Sequence, residues 1–351
     1  MKVAVYAIAL NEVQFVSAWG GSAKDADCLL IADTGSTDGT KEKAIELGIQ
    51  VIDVAVTPWR FDIARNAALA AIPRDIDYCI ALDMDEVLLP GWREHLEVAL
   101  ANNWTRPRYQ YTWSWNADGS PGLQYAGDKI HARKGYRWKH PVHELLVPYG
   151  DLVETQGFVG LEIHQHPDLT KSRGQYLGLL KLSVEEDPHD GRNVFWYAKD
   201  LFYYGDFEEA AKQFKRHLNV PAATWGPERA SSMRYLAKIE TNKAEYWLTK
   251  AVQETPDRRE PHCDLASYYL GTQNWSKSLE SALNALAITQ RPMDYLCEDA
   301  AWSWVPYDIA ALSSHRLGQN NDAIEYGKKA VEANPTDPRL ADNLSWYSSA
   351  S

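Results

Sequence analysis

The chain has few cysteines and none at metal or redox spacing. Cys28, Cys79, Cys263 and Cys297 are the only four in 351 residues, and their separation excludes a Cys-x-x-Cys zinc or dithiol site. Two of them fall in expected buried strands, which points to reduced structural thiols and a cytosolic setting. Long Lys/Arg runs are absent and the net charge is −12, which argues against a duplex-DNA surface and against nucleic acid as a partner. No apolar stretch approaches the ~18–20 residues of a spanning helix. Val3–Leu10 imitates a short signal-peptide core, but it runs straight into Asn11-Glu12 with no small-residue cleavage site, so it reads as a buried parallel strand. A soluble cytoplasmic protein is expected, at most peripheral to the inner face of a membrane.

What is present divides into two halves. Up to about residue 115, short apolar runs (Val3–Leu10, Cys28–Ala32, Val51–Val54, Tyr78–Leu82) alternate with amphipathic segments (Phe15–Trp19, Thr40–Leu47, Phe61–Ile72). That rhythm predicts a parallel sheet covered by helices, with ligands bound beyond the carboxyl ends of the strands. Leu10, Asn11, Glu12, Asp33, Asp83, Met84 and Asp85 all fall at such ends and are expected to line one crevice. From Trp104 to His166 the chain turns aromatic and β-prone, predicting mostly antiparallel strands. Beyond Leu169 it reads as helical. There Ala198, Ser232 and Ala266 fall 34 residues apart, as do Ala210, Ala244 and Ser278, and Ala311, Ala323, Ala330 and Pro335 continue the pattern after an insertion containing Trp302, Trp304 and Pro306. Small residues at fixed places let paired helices approach closely, which predicts about four tetratricopeptide-type units. The expected domains are therefore 1–169 and 170–351.

Ile80-Ala-Leu-Asp-Met-Asp-Glu86 is an apolar run ending in carboxylates. Alternate residues of an extended chain share a side, so Asp83 and Asp85 are expected to converge and to hold Mg²⁺ or Mn²⁺. Asp33 begins Asp-Thr-Gly-Ser-Thr-Asp-Gly-Thr40, where Ser36, Thr37 and Asp38 are N-cap candidates and Asp33 is placed to accept from an imide N–H such as that of uracil. Arg65 has two readings, an ion pair with Asp62 or a neighbouring acid, or a contact to a base or diphosphate. Lys129, Arg133, Lys134, Arg137 and Lys139 concentrate positive charge in an acidic chain, which suits a diphosphate or anionic acceptor. Trp113, Trp115 and Trp138 offer faces to a sugar or to the core.

Taken in order, Asn11-Glu12, Asp33–Thr40, Ala64-Arg-Asn66, the Asp83-x-Asp85 pair and Trp138-Lys-His-Pro-Val-His-Glu144 resemble the family 2 glycosyltransferases with a GT-A fold, in the branch that carries tetratricopeptide repeats. Peptide S-glycosyltransferases and lipopolysaccharide-core glucosyltransferases look similar in this layout. The resemblance covers roughly residues 1–170 and implies inverting transfer from a nucleotide-diphosphate sugar, most often a UDP-sugar, to a glycan, peptide or protein acceptor. It implies that Asp33 contacts uracil, Arg65 the nucleotide, Asp83 the ribose or metal, and Asp85 the metal, with His164 or His166 as a late metal ligand. Lys129 and Trp138 would join the donor site. Glu144 is the candidate general base, with Asp128 and Glu162 behind it, and an ion pair with Lys139 or Arg137 is its competing fate. Thr34 departs from the second Asp common in the family. The repeats are expected to position the acceptor or to make a homodimer contact. Two other readings remain open: a haloacid-dehalogenase-like phosphohydrolase using the same Asp-x-Asp, and a non-catalytic repeat scaffold with a degenerate nucleotide-binding domain.

Overall fold

The computed structural model describes residues 1–116, 118–168 and 174–349, so the expected boundary between 169 and 170 lies outside the described residues. The chain forms two compact units, Met1–Ser183 and Val184–Ser351.

The first unit runs β1 (Val3–Ala9), α1 (Val13–Ser22), β2 (Cys28–Asp33), α2 (Thr40–Glu46), β3 (Gln50–Asp53), α3 (Phe61–Ala71), β4 (Tyr78–Ala81), β5 (Glu86–Leu88), α4 (Trp92–Ala101), β6 (Arg108–Thr112), β7 (Gln124–Gly127), β8 (Ile130–Ala132), β9 (Tyr136–Lys139), β10 (Leu145–Pro148), β11 (Phe158–Gln165) and α5 (Tyr176–Glu186). Its main sheet has the order β3-β2-β1-β4-β8. The first four strands are parallel and β8 runs antiparallel to β4. β1 shows why its sequence is continuously apolar: Val3, Val5 and Ala7 enter a core with Trp19, Trp92 and Leu96, while Ala4 and Tyr6 enter the opposite core with Leu30, Ala68 and Trp138. A strand covered on both faces cannot alternate with polar residues.

A second sheet, β5-β11-β6-β7, and the hairpin β9–β10 complete this unit. The pairings are antiparallel except β11 with β6, which is parallel, so the expectation of mostly antiparallel strands holds with that exception. Asp83 to Asp85 differ from expectation. They lie in a turn between β4 and β5, closed by Glu86 N–H donating to the Asp83 carbonyl at 2.9 Å, and the alternation of an extended strand does not govern where their side chains point.

The second unit is α-helical: α6 (Gly191–Tyr203), α7 (Phe207–Asn219), α8 (Gly226–Ile239), α9 (Ala244–Glu254), α10 (Arg259–Gly271), α11 (Trp275–Ala287), α12 (Asp299–Trp302), α13 (Val305–Arg316), α14 (Asn320–Ala333) and α15 (Pro338–Ser349). Helices pair as α6/α7, α8/α9, α10/α11 and α13/α14, and each pair packs on the next. Ala198, Ser232, Ala266 and Ala311 on the first helices, and Ala210, Ala244, Ser278 and Ala323 on the second, are all buried. Their small size permits close contact, and the serines stay satisfied: Ser278 Oγ donates to the Ala266 carbonyl at 2.9 Å. Asp206 and Asn274 cap α7 and α11 by accepting from the amides of Glu209 and Lys277. Each cap follows a residue in the left-handed region, Gly205 at φ 84° and Gln273 at φ 60°, which turns the chain sharply between paired helices. No described helix is long and apolar enough to cross a membrane.

Candidate functional site

Two loops at the carboxyl end of the main sheet are stitched together. Asn11, at φ 56°, accepts from the Thr37 amide at 2.8 Å through its side chain. The amides of Asn11, Glu12 and Val13 donate to Ser36 Oγ at 2.8 Å, Thr40 Oγ1 at 2.8 Å and Asp38 Oδ2 at 3.1 Å. Helix α2, for which Ser36, Thr37 and Asp38 are the expected caps, starts after Gly39 with no side-chain cap. Ser36 and Asp38 serve the neighbouring chain entry into α1, and Asp38 Oδ1 also accepts from the amide and hydroxyl of Thr40 at the start of α2, at 3.0 and 2.5 Å. Leu10 stands exposed beyond the end of β1. Asp33 is buried; its Oδ1 accepts from the amides of Gly35 and Ser36 at 2.9 Å each, and its buried Oδ2 has no partner among the described residues.

Arg65, buried on α3, joins the acids. Its Nη2 donates to Asp83 Oδ1 at 2.6 Å, its Nε donates to Glu144 Oε1, and its guanidinium lies 5.0 Å from the Trp138 ring centre. Of the ion pairs expected for Arg65, with Asp62 or a neighbouring acid, it makes the latter, while Asp62 pairs with Arg60 at 3.0 Å. Lys129 Nζ donates to Asp83 Oδ2 at 2.5 Å and to Glu86 Oε1 at 3.0 Å. Glu86 is fully buried and also accepts from the Asp83 amide at 2.8 Å and the Tyr111 hydroxyl at 2.7 Å. Burial works against charge on Arg65, Lys129 and Asp83, yet the opposed partners win: both cations are held well above their ordinary range and the Asp83 carboxyl well below its own. For Glu86 burial prevails, helped by Asp83 and Asp85 against Lys129, and its carboxyl is pushed up. Glu86 is the organising residue that sequence reading passed over. Its signal was there: an acid inside the apolar pattern of Val87 and Leu88, facing inward.

Asp85 stands apart from Asp83. Burial first, then the Asp83 charge, pushes its carboxyl up. Gln165 Nε2 donates to its Oδ2 at 3.1 Å, and the His166 amide donates to its backbone carbonyl at 2.7 Å. The two histidines at the end of β11 pack on Trp115: His164 edge-on at 4.9 Å and His166 stacked at 5.6 Å. His164 Nε2 also lies 3.4 Å from Glu162. Among the described residues no group of three or more His, Cys, Asp and Glu side chains is arranged to hold a metal ion. Both oxygens of Asp83 are taken by Arg65 and Lys129, the pairing that any cation at Asp83 would have to displace.

The aromatic and basic segments also settle differently from a donor surface. Trp138 is core: its Nε1 donates to the Tyr6 hydroxyl at 2.8 Å, and Asn66 brackets its backbone, accepting from its N–H at 2.9 Å and donating to its carbonyl at 2.8 Å. The cations between 129 and 139 do not form one patch, because Lys129 turns inward, Arg133 donates to the Ile72 carbonyl at 2.7 Å, and Arg137 points out of β9 between inward Tyr136 and Trp138. Asp128, a second candidate base, accepts from Arg106 at 2.9 Å.

No protein-family profile matches the chain, and no curated protein matches it. Solved structures do. A MamA protein aligns at 17% identity over 46% of this chain and 83% of its own, with a TM-score of 0.36. TTC0263, a thermophilic TPR protein of Thermus thermophilus, aligns at 18% identity over 50% of this chain and 91% of its own, with a TM-score of 0.35. YrrB, a TPR protein with an unusual peptide-binding site, aligns at 12% identity over 49% of this chain and 82% of its own, with a TM-score of 0.39. The helical part thus resembles tetratricopeptide-repeat proteins. The solved structures it is similar to are repeat proteins and not glycosyltransferases, so the resemblance to family 2 glycosyltransferases, and the transferase activity expected with it, finds no counterpart among them.

Proposed function

We propose that this chain is a non-catalytic scaffold whose helical repeats hold a segment of a partner protein, accompanied by an α/β half with a degenerate nucleotide-binding crevice. The observation that carries this reading is the stacking of four helix pairs through buried small residues while Tyr203, Tyr204, Phe207 and Tyr246 stay 68%, 55%, 50% and 54% exposed. Exposed aromatic rings on a repeat array offer contact area at low entropic cost, the composition favoured in protein interfaces. The α/β half supports the same reading, because Asp83 and Glu144 are committed to Arg65 and Lys129. In the crevice, Asp33 Oδ2 is a buried acceptor with no hydrogen-bond partner among the described residues, which suits a nucleobase imide that reaches it when the crevice opens.

Photo-crosslinking in the source cell tests the scaffold. A crosslinking amino acid in place of Tyr203 or Tyr246 should give a discrete protein adduct, whereas one at exposed Val153 of the α/β half should give none. Absence of any discrete adduct from the repeat positions would overturn it. For the crevice, uridine should raise the melting temperature of the wild type and not of Asp33→Ala; an equal response in both rejects the assignment.

A further inference from the structure

The helix pairs of the second unit are joined by short links except once. Between α11 and α13 the chain runs through residues 288–304, and this insertion lies against the first helices of the preceding repeats. The Tyr295 ring stacks on Trp196 of α6 at 5.4 Å and 25°, leans on Trp225 at 5.5 Å, and donates its hydroxyl to Glu228 of α8. Glu298 accepts a forked pair of bonds from Arg234 of α8 at 2.7 and 2.9 Å. Asp294 accepts from both terminal nitrogens of Arg258, just before α10, at 2.5 and 3.2 Å. The arginines are the buried members of these pairs, with side chains 8% and 7% exposed, while Glu298 is 57% exposed.

This is how a groove holds a peptide. Fixed arginines match two carboxylates bidentately, an aromatic slot takes a tyrosine ring, and a glutamate receives its hydroxyl. A helical repeat array needs no such insertion to stack, since neighbouring pairs already bury one another. The segment is held through complementary charge, the Tyr295 anchor, and the burial of Cys297 and Ala301 beside Trp302.

We propose that the inner face of α6, α8 and α10 recognises an acidic peptide segment of a partner protein with the pattern Asp-Tyr-x-x-Glu, and that Asp294-Tyr295-Leu-Cys-Glu298 is a built-in competitor occupying that face. The inference rests on the scaffold reading and deepens it by naming the partner chemistry. Partner binding then requires the insertion to leave, so the free energy of its contacts sets the threshold affinity a partner must exceed.

The test uses the full chain and a fluorescein-labelled synthetic peptide of residues 288–304, read by anisotropy. A variant opened by Asp294→Ala, Tyr295→Ala and Glu298→Ala should bind the peptide at least about tenfold more tightly than the wild type does. The same peptide carrying alanine at those three places should lose that binding. Equal binding of the peptide by opened and wild-type chains, or equal binding of both peptides, overturns the proposal. If the opened variant does not fold, hydrogen exchange on the unmutated chain decides: excess peptide should speed exchange in residues 288–304 and slow it in α6 and α8, and no change overturns the proposal. A stable dimer of the opened variant that excludes the peptide would mean that a second copy fills the groove, and it too overturns the proposal. Crosslinks from Tyr203 or Tyr246 that persist after such a failure would leave the scaffold reading standing with its partner elsewhere.

Discussion

A neutral histidine is built into the wall beneath the acidic crevice, and it predicts a specific acid sensitivity. His131, fully buried on β8, stands between two fixed groups. Its Nδ1 lies 2.8 Å from the Ala132 carbonyl, which only accepts, so Nδ1 carries the proton. Its Nε2 lies 3.1 Å from the Tyr6 hydroxyl, which already accepts from Trp138 Nε1 at 2.8 Å. The chain of bonds therefore runs Trp138 to Tyr6 to His131 to Ala132, and each proton has one place to go. A second proton on His131 would set two N–H groups against one Tyr6 oxygen and leave the tyrosine proton without an acceptor. Burial accordingly pushes the imidazole down to about 4.

The sign follows from proton counting. Below the ordinary histidine value of about 6.5 the unfolded chain binds a proton that the folded chain refuses until about pH 4, so this contribution to stability falls with pH across that window. Between pH 7.5 and pH 5 the difference amounts to about 1.4 pH units of linkage, or about 2 kcal/mol. Urea unfolding of the full chain at the two pH values should show the wild type losing about 2 kcal/mol more than His131→Gln, whose amide does not titrate. Ring ¹⁵N shifts should report a neutral imidazole at pH 5.5. Equal pH dependence in the two proteins, or an imidazolium signature at pH 5.5, would refute the bonding order.

Arg65→Met should cost about 3–5 kcal/mol at pH 7.5, because it leaves the largely buried Glu144 without its cation and Asp83 with Lys129 alone. Asp83 contributes stability that is present above the ordinary carboxylate pKa and lost as pH falls below it toward the depressed folded value, so the wild-type advantage should hold down to about pH 4 and narrow below it in urea midpoints, and a gap that stayed constant below about pH 4 would count against the pairing. Gly191→Ala places a Cβ 2.5 Å from the Ala223 Cβ and 2.7 Å from its Cα; thermal unfolding should show a loss of about 1–3 kcal/mol. Ala266→Leu, at a buried contact of α10, should cost a similar ~1–3 kcal/mol by overpacking, and a neutral result would mean the repeats stack less closely than described.

Much of the architecture was legible because it is periodic. The runs at Val3–Leu10 and Tyr78–Leu82 had to be two-sided strands, and the small residues 34 apart had to be helix contacts, since burial leaves such patterns little choice. The candidate site was less legible, for a physical reason. An ordered series of short motifs records which residues lie at strand ends but not which partners they take, and here Asp83 and Glu144 found Arg65, while Trp138 found Tyr6. Those partners come from elements far apart in sequence, where no local spacing announces them. Glu86 and Lys129 show the same limit, one hidden by its neighbours Asp83 and Asp85, the other by a run of cations that diverge in space. The insertion's pairing with Arg234 and Arg258 was equally silent.

The strand register of the first unit bears on the order in which a growing chain acquires its shape. Val3 pairs beside Tyr78, Ile80 beside Ile130, and Glu86 beside Gln165, so the turn that presents Asp83 and Asp85 has no finished edge until Gln165 has been synthesised. Sheets closed over such separations form slowly and leave apolar strands waiting. The repeats that follow need only their immediate neighbours and settle pair by pair as they emerge. Translation therefore delivers a half that folds late in its own length before a half that folds as it goes, and a slowed ribosome near residue 165 would favour the former.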